Sequence, residues 1–310
     1  KMNKTIYEQI FAHKTTFMGI AICLIFLFHT ELDSSCLWIT FPKELCDIGV
    51  DLFMFLSGFS LAFSFSKCPQ IKVFYMKRMM RILPAYLAVF IPFYFYKDII
   101  AHHDTWMVFL YHLSFLNYFI EGDLIIWFIP VVICYYFLLP FYVKGVREYP
   151  LLRFVPYILI AILAGMQITQ TPIPTGFLLV RLPIFLLGAN VYLFPKELFS
   201  HTWQYALMAF VSIVGCYYVL ILNSELWGIK YLFYIPLCFI ILKYSLICIV
   251  RSEVISFLGM YTLEFYLIHE RVIWTLHKHI LNQYVLACIS ILITILLGYL
   301  LHKTLLLFIK

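Results

Sequence analysis

The chain has 310 residues, of which 64% are hydrophobic and only 12% charged, with a formal net charge of +6. A soluble globular domain carries roughly a quarter charged residues, so this composition excludes an ordinary water-soluble enzyme. The positive charge does not mark a nucleic-acid binder, because the Lys and Arg residues are spread between long apolar runs.

Those runs cover 17–30, 48–66, 82–96, 124–143, 152–168, 176–194, 203–222, 229–249, 254–270 and 281–308. Most approach the ~20 residues of a spanning helix, and the shorter ones can borrow flanking residues. Barrel strands would show short alternating segments instead. The expectation is therefore an all-α integral membrane protein, a polytopic helical bundle of about ten transmembrane helices forming a single domain over 1–310. An eleventh run, 106–119, is short and contains His112 and Asn117. Counting it as a span would reverse every later segment and move Lys144, Arg147 and Arg153 to the opposite side from Lys67–Arg81. With ten spans and both termini cytoplasmic, only Lys43, Lys97, Lys230, Arg271 and Lys278 lie in outside segments, as the positive-inside rule requires. The run 106–119 then reads as a re-entrant or interfacial helix. The first run lacks a small-x-small cleavage site and reads as a retained helix, not a signal peptide. The expected location is the cell membrane, crossed many times, with no nucleic-acid partner.

Ionisable groups at membrane depth are costly and mark functional sites by default. His29 closes the first run, and Asp51 opens the second within Gly49-Val50-Asp51-Leu52-Phe53, so the two are expected near one membrane face. A carboxylate beside an imidazole fixes its tautomer and stabilises the imidazolium, as a general base requires. A pair that only cements two helices is the competing reading. The loop between the second and third runs is the most basic part of the chain, with Lys67, Lys72, Lys77, Arg78 and Arg81. Arg78 and Arg81, three apart, share a helix face, and paired guanidinium forks suit phosphate recognition. An ordinary inside loop touching anionic lipid would look similar. Further along come Trp127-Phe128-Ile129-Pro130, then Arg181 inside the sixth run, Glu264 in mid-run and His269 near the outer end of the ninth. The nine cysteines show no metal spacing, and no metal site is expected. Cys23, Cys134, Cys216, Cys238, Cys248 and Cys288 lie in or beside apolar runs, where cysteine packs as a small hydrophobe. Cys36 and Cys46 share the first outside loop, where an oxidising compartment would permit a disulfide.

His29, Gly49-Val50-Asp51-Leu52-Phe53 with Leu56-Ser57-Gly58, Arg78-Met79-Met80-Arg81-Ile82-Leu83-Pro84, Trp127-Phe128-Ile129-Pro130, Arg181-Leu182-Pro183 and Tyr266-Leu267-Ile268-His269 follow in this order. Over about residues 15 to 275 the set resembles the type 3 family of membrane acyltransferases, which O-acylate sugars of surface polysaccharides, in its short stand-alone form. The resemblance implies an acyl-CoA donor, acetyl-CoA above all, with its phosphates held near Arg78 and Arg81 and no tightly bound cofactor. His29, oriented by Asp51 or Glu31, would deprotonate an acceptor hydroxyl or briefly carry the acyl group. Arg181, Glu264 and His269 would bind sugar or stabilise developing charge. The implied partners are acyl-CoA, a surface polysaccharide or other glycan, and the bilayer. One position departs from the family, which commonly has a basic residue eleven positions before the histidine. Here it is Met18, with Lys14 one turn further back. Two other readings compete: a transporter or flippase for a lipid-linked sugar or organic anion, and a glycan polymerase or ligase. The halves show no internal repeat of the kind many transporters carry. The longest outside loop, 97–123, is short for a polymerase.

Overall fold

The computed structural model describes residues 6–30, 32, 36–170, 176–195, 202–222, 228–249 and 252–308. Every regular element among them is helical. In chain order these are α1 (Ile6–His29), α2 (Leu37–Leu45), α3 (Ile48–Lys67), α4 (Ile71–Tyr94), α5 (Trp106–Leu113), α6 (Leu116–Glu121), α7 (Phe128–Glu148), α8 (Val155–Ile168), α9 (Phe177–Val180), α10 (Leu182–Leu193), α11 (Thr202–Tyr217), α12 (Lys230–Ile249), α13 (Glu253–Met260), α14 (Thr262–His277) and α15 (Gln283–Phe308). A π-helical turn, Phe95–Ala101, extends α4, and a second, Tyr218–Leu222, extends α11.

Seven segments among the described residues are long and apolar enough to cross a bilayer, which makes this a multi-pass membrane protein. They are Ile6–His29, Leu37–Lys67, Ile71–Ala101, Phe128–Glu148, Pro150–Ile168, Trp203–Leu222 and Gln283–Leu307. The remaining expected spans behave differently. The run 229–249 is the helix α12, whereas 176–194 and 254–270 are each interrupted. The first breaks at Arg181, because Pro183 lacks an N–H and fits only the opening turn of a new helix, α10. The second breaks at Tyr261 (φ −113°, ψ 20°), between α13 and α14. A continuous apolar run is thus not a continuous helix here. Residues 106–119 form two pieces of eight and six residues joined at Phe115. They rise about 12 and 9 Å, well short of a ~30 Å hydrocarbon core.

Glycine sets the closest helix contacts. Gly58 of α3 lies against the backbone of Phe185 and Ala189 in α10, and Gly188 of α10 lies against the backbone of Phe55. A β-carbon on either would collide with main chain, so the two helices touch only because both positions are bare. Gly19 of α1 and Gly259 of α13 meet the backbones of Ile255 and Thr15 in the same way. α1 and α3 run antiparallel, with Gly49 beside Ala21 and Ile25 at one end and Phe59 beside Tyr7 at the other. This arrangement puts His29 and Asp51 toward one end of the bundle, with Lys14 and the Arg78–Arg81 turn toward the other. Cys36 and Cys46 flank the nine-residue α2. A helix of that length holds them about 15 Å apart, beyond disulfide reach.

Candidate active site

His29 sits in the last turn of α1, where its Nδ1 lies 3.0 Å from the carbonyl oxygen of Ile25. A carbonyl only accepts, so Nδ1 carries a proton and donates it. Nε2 is thereby the atom at which a proton is gained or lost, and it faces Oε1 of Glu270 at 3.0 Å. The other oxygen, Oε2, accepts from the Arg271 guanidinium at 3.1 Å. The neighbouring His269 is 1% exposed, and its Nδ1 donates to the Tyr266 carbonyl at 2.7 Å. Its Nε2 is left as a buried atom with no partner. The two imidazoles meet edge to face with centroids 4.8 Å apart. His29, His269 and Glu270 each offer one ligand atom, and these lie within 4.8 Å of one another. Two imidazoles and a carboxylate are a donor set able to take a divalent cation. The His29–Glu270 hydrogen bond already satisfies two of the three.

Toward the other end, a cavity of about 130 Å³ is lined by Lys14 and Met18 of α1, Ser57 and Ser60 of α3, Arg78 and Arg81 of α4, Tyr136 of α7, and Thr262 and Tyr266 of α14. It has three cations and no carboxylate among its lining residues, so it selects anions. Arg78 is steadied by Ser64, whose Oγ accepts from the guanidinium at 2.6 Å, and by the Phe74 ring at 5.4 Å. Its Nε is buried and has no partner. Lys14 reaches the same cavity that Met18 lines. The inner wall is the Phe128–Tyr266 ring pair, with centroids 4.2 Å apart. The same two residues line a smaller pocket with Glu270 and Arg271. One aromatic pair therefore stands between the cationic cavity and the carboxylate that faces His29.

Asp51 is not the partner of His29. It binds Arg181, whose Nη1 lies 2.5 Å from Oδ2, while Nη2 reaches Asp47 Oδ1 at 2.9 Å and Lys230 reaches Asp47 Oδ2 at 3.0 Å. Arg181 is 1% exposed and lies over the rings of Trp127, Phe177 and Tyr231 at 5.2, 5.6 and 4.5 Å. Two carboxylates and two cations balance one another, so this buried knot is neutral and fastens α3 to α12 and to the α9–α10 break. Asp47 and Asp51, four apart, share the face that meets Arg181, and both are engaged there. Glu264 likewise lines neither cavity. Its Oε1 is 2.6 Å from Nδ1 of His302, across the α14–α15 contact. Glu31 lies outside the described residues. The structure therefore brings His29 together with His269, and Arg78 with Arg81, but places Asp51, Arg181 and Glu264 elsewhere. Sequence reasoning missed Glu270, Asp47, Lys230 and His302. The unbroken ionisable run His269-Glu270-Arg271 was the available signal for the first.

The fold and site define a multi-pass helical membrane protein with a cationic cavity to one side of the His29–His269 pair. Residues 19–303 match the family model described as an acyltransferase domain, and the chain belongs to the type 3 membrane acyltransferase family. No curated protein and no solved structure shows a significant match to the chain.

Proposed function

We propose that this acyltransferase moves an acyl group, acetyl in the simplest case, from cytoplasmic acyl-CoA to a carbohydrate hydroxyl at the extracytoplasmic face of the cell membrane. The supporting observation is the convergence of Lys14, Arg78 and Arg81 on a carboxylate-free cavity whose inner wall reaches Tyr266, one turn from His269. Polyanionic CoA phosphates fit such a site, with two guanidinium forks and an ammonium to bind them. Lys14 supplies the basic group that Met18 lacks. The thioester arm would extend inward past Phe128 and Tyr266.

At rest, His29 Nε2–H donates to Glu270; once that proton has left to solvent, Nε2 takes the proton of the acceptor hydroxyl as its oxygen attacks the thioester carbonyl. The tetrahedral adduct collapses with C–S cleavage, and the departing CoA sulfur receives that proton from the imidazolium. Glu270 stabilises the imidazolium between these steps, and the Ile25 carbonyl keeps the ring in the required tautomer. The donor is a substrate and not a resident cofactor. A surface polysaccharide or related glycan in the bilayer environment is the acceptor.

The test is acetyl-CoA binding to purified protein, comparing wild type with Arg78→Ala/Arg81→Ala. Micromolar binding lost in the double variant supports the reading. Absence of binding in wild type, or binding indifferent to both arginines, contradicts it. A carrier of lipid-linked sugar or anion would instead keep working in CoA-depleted vesicles.

A further inference from the structure

Hydroxyls in apolar helices usually return their proton to a carbonyl three or four residues back. This chain follows the rule at Thr30, Thr275 and Thr304, which donate to Leu27, Arg271 and Leu300 at 2.6, 2.8 and 3.0 Å. Ser290 and Thr294 on α15 break it. They are 2% and 1% exposed, yet neither hydroxyl has a partner. Four residues apart, they share a face of a helix that otherwise presents mostly apolar side chains. That face lines a narrow cleft of about 10 Å³ together with His29 and His269, and the orphan Nε2 belongs to the latter. Three polar atoms unsatisfied at one place in a membrane protein are costly unless something completes them.

The geometry points to this cleft as the subsite for the acceptor's reacting hydroxyl, with Ser290, Thr294 and His269 Nε2 as its binding groups. The inference rests on the acyl-transfer reading. A hydroxyl both donates and accepts, matching a lone pair at His269 and two O–H groups on α15. A phosphate or carboxylate is a poor match, because neither lysine nor arginine lines the cleft. Phe26, Ile273 and Ile291 supply apolar walls around that hydroxyl. The volume, about that of one water-sized group, suits the reacting hydroxyl alone and not a sugar ring. No α15 residue lines the cationic cavity, so the two substrates would approach the imidazoles from different helices.

The test uses purified full-length protein, radiolabelled acetyl-CoA and a panel of methyl glycosides of gluco, galacto, manno, rhamno and N-acetylglucosamine configuration. The Ser290→Ala/Thr294→Val variant is expected to raise KM for the preferred glycoside about tenfold or more, with acetyl-CoA Kd unchanged. Ser290→Thr and Thr294→Ser each keep the hydroxyl and should stay within about threefold of wild type. Unchanged KM in the double variant, the result if the cleft holds only water, overturns the subsite. So does a parallel loss of acetyl-CoA binding, which marks a structural role. Donor binding by wild type with no glycoside acylated overturns the sugar-hydroxyl assignment. Failure of wild type to bind the donor overturns the acyl-transfer reading beneath it.

Discussion

Replacing Glu270 by alanine probes the pairing on which the chemistry depends. Its carboxylate lies 3.0 Å from His29 Nε2, with the two side chains 33% and 25% exposed. A hydrogen bond to a charged group contributes about 1.5–3 kcal/mol, and partial exposure moves this pair toward the lower end. The Nε2–H bond to Glu270 is absent in the neutral base and regained as the hydroxyl proton arrives, so much of that contribution belongs to the transition state. At 1.36 kcal/mol per decade, kcat should fall about tenfold to thirtyfold. Glu270→Gln keeps an acceptor oxygen but not the charge, and should cost about threefold. The assay is the initial rate of radiolabelled acetyl transfer in proteoliposomes, with acetyl-CoA Kd measured alongside. A Glu270→Ala rate within twofold of wild type refutes the reasoning. So does a loss expressed wholly as weaker donor binding.

Three further outcomes are expected. Lys14→Ala should raise acetyl-CoA Kd about threefold to tenfold, less so at high salt, because one of three cations facing the phosphates is gone; titration at two ionic strengths checks this. Asp51→Ala leaves Arg181 buried with only Asp47 and should destabilise by about 3 kcal/mol, read as a lowered melting temperature in detergent. Adding Arg181→Met should recover part of it. Gly188→Ala drives a β-carbon into the Phe55 backbone and should cost about 1–3 kcal/mol in the same assay. Gly165→Ala, which meets nothing within 4 Å, should leave stability near wild type.

Hydropathy alone made the helical membrane class legible, because apolar length is what a bilayer imposes. Helix spacing likewise placed Arg78 and Arg81 together, and the structure adds Lys14 to the same cavity. Two kinds of feature escaped. Backbone breaks inside apolar runs, at Arg181 and Tyr261, do not alter hydropathy, although Pro183 was a local sign of the first. Rotational facing escaped as well. His29 and Asp51 occupy the same end, so depth suggested a pair. Asp51 instead looks toward Arg181, with Asp47 one turn away, while Glu270 turns toward α1. Depth follows from position in a run, whereas facing follows from contacts such as Gly58–Phe185 and Gly19–Ile255 that rotate one helix against another. Glu264 shows the same effect. It sits in mid-run as expected, but faces α15 and His302, away from both cavities.

The most direct measurement is acetyl transfer from acetyl-CoA by wild type and His29→Ala protein reconstituted in parallel, with donor binding measured on both. The account predicts equal acetyl-CoA affinity and a rate in the variant about a thousandfold lower or undetectable. Transfer by His29→Ala at a rate near wild type would remove His29 from the chemistry and contradict the account.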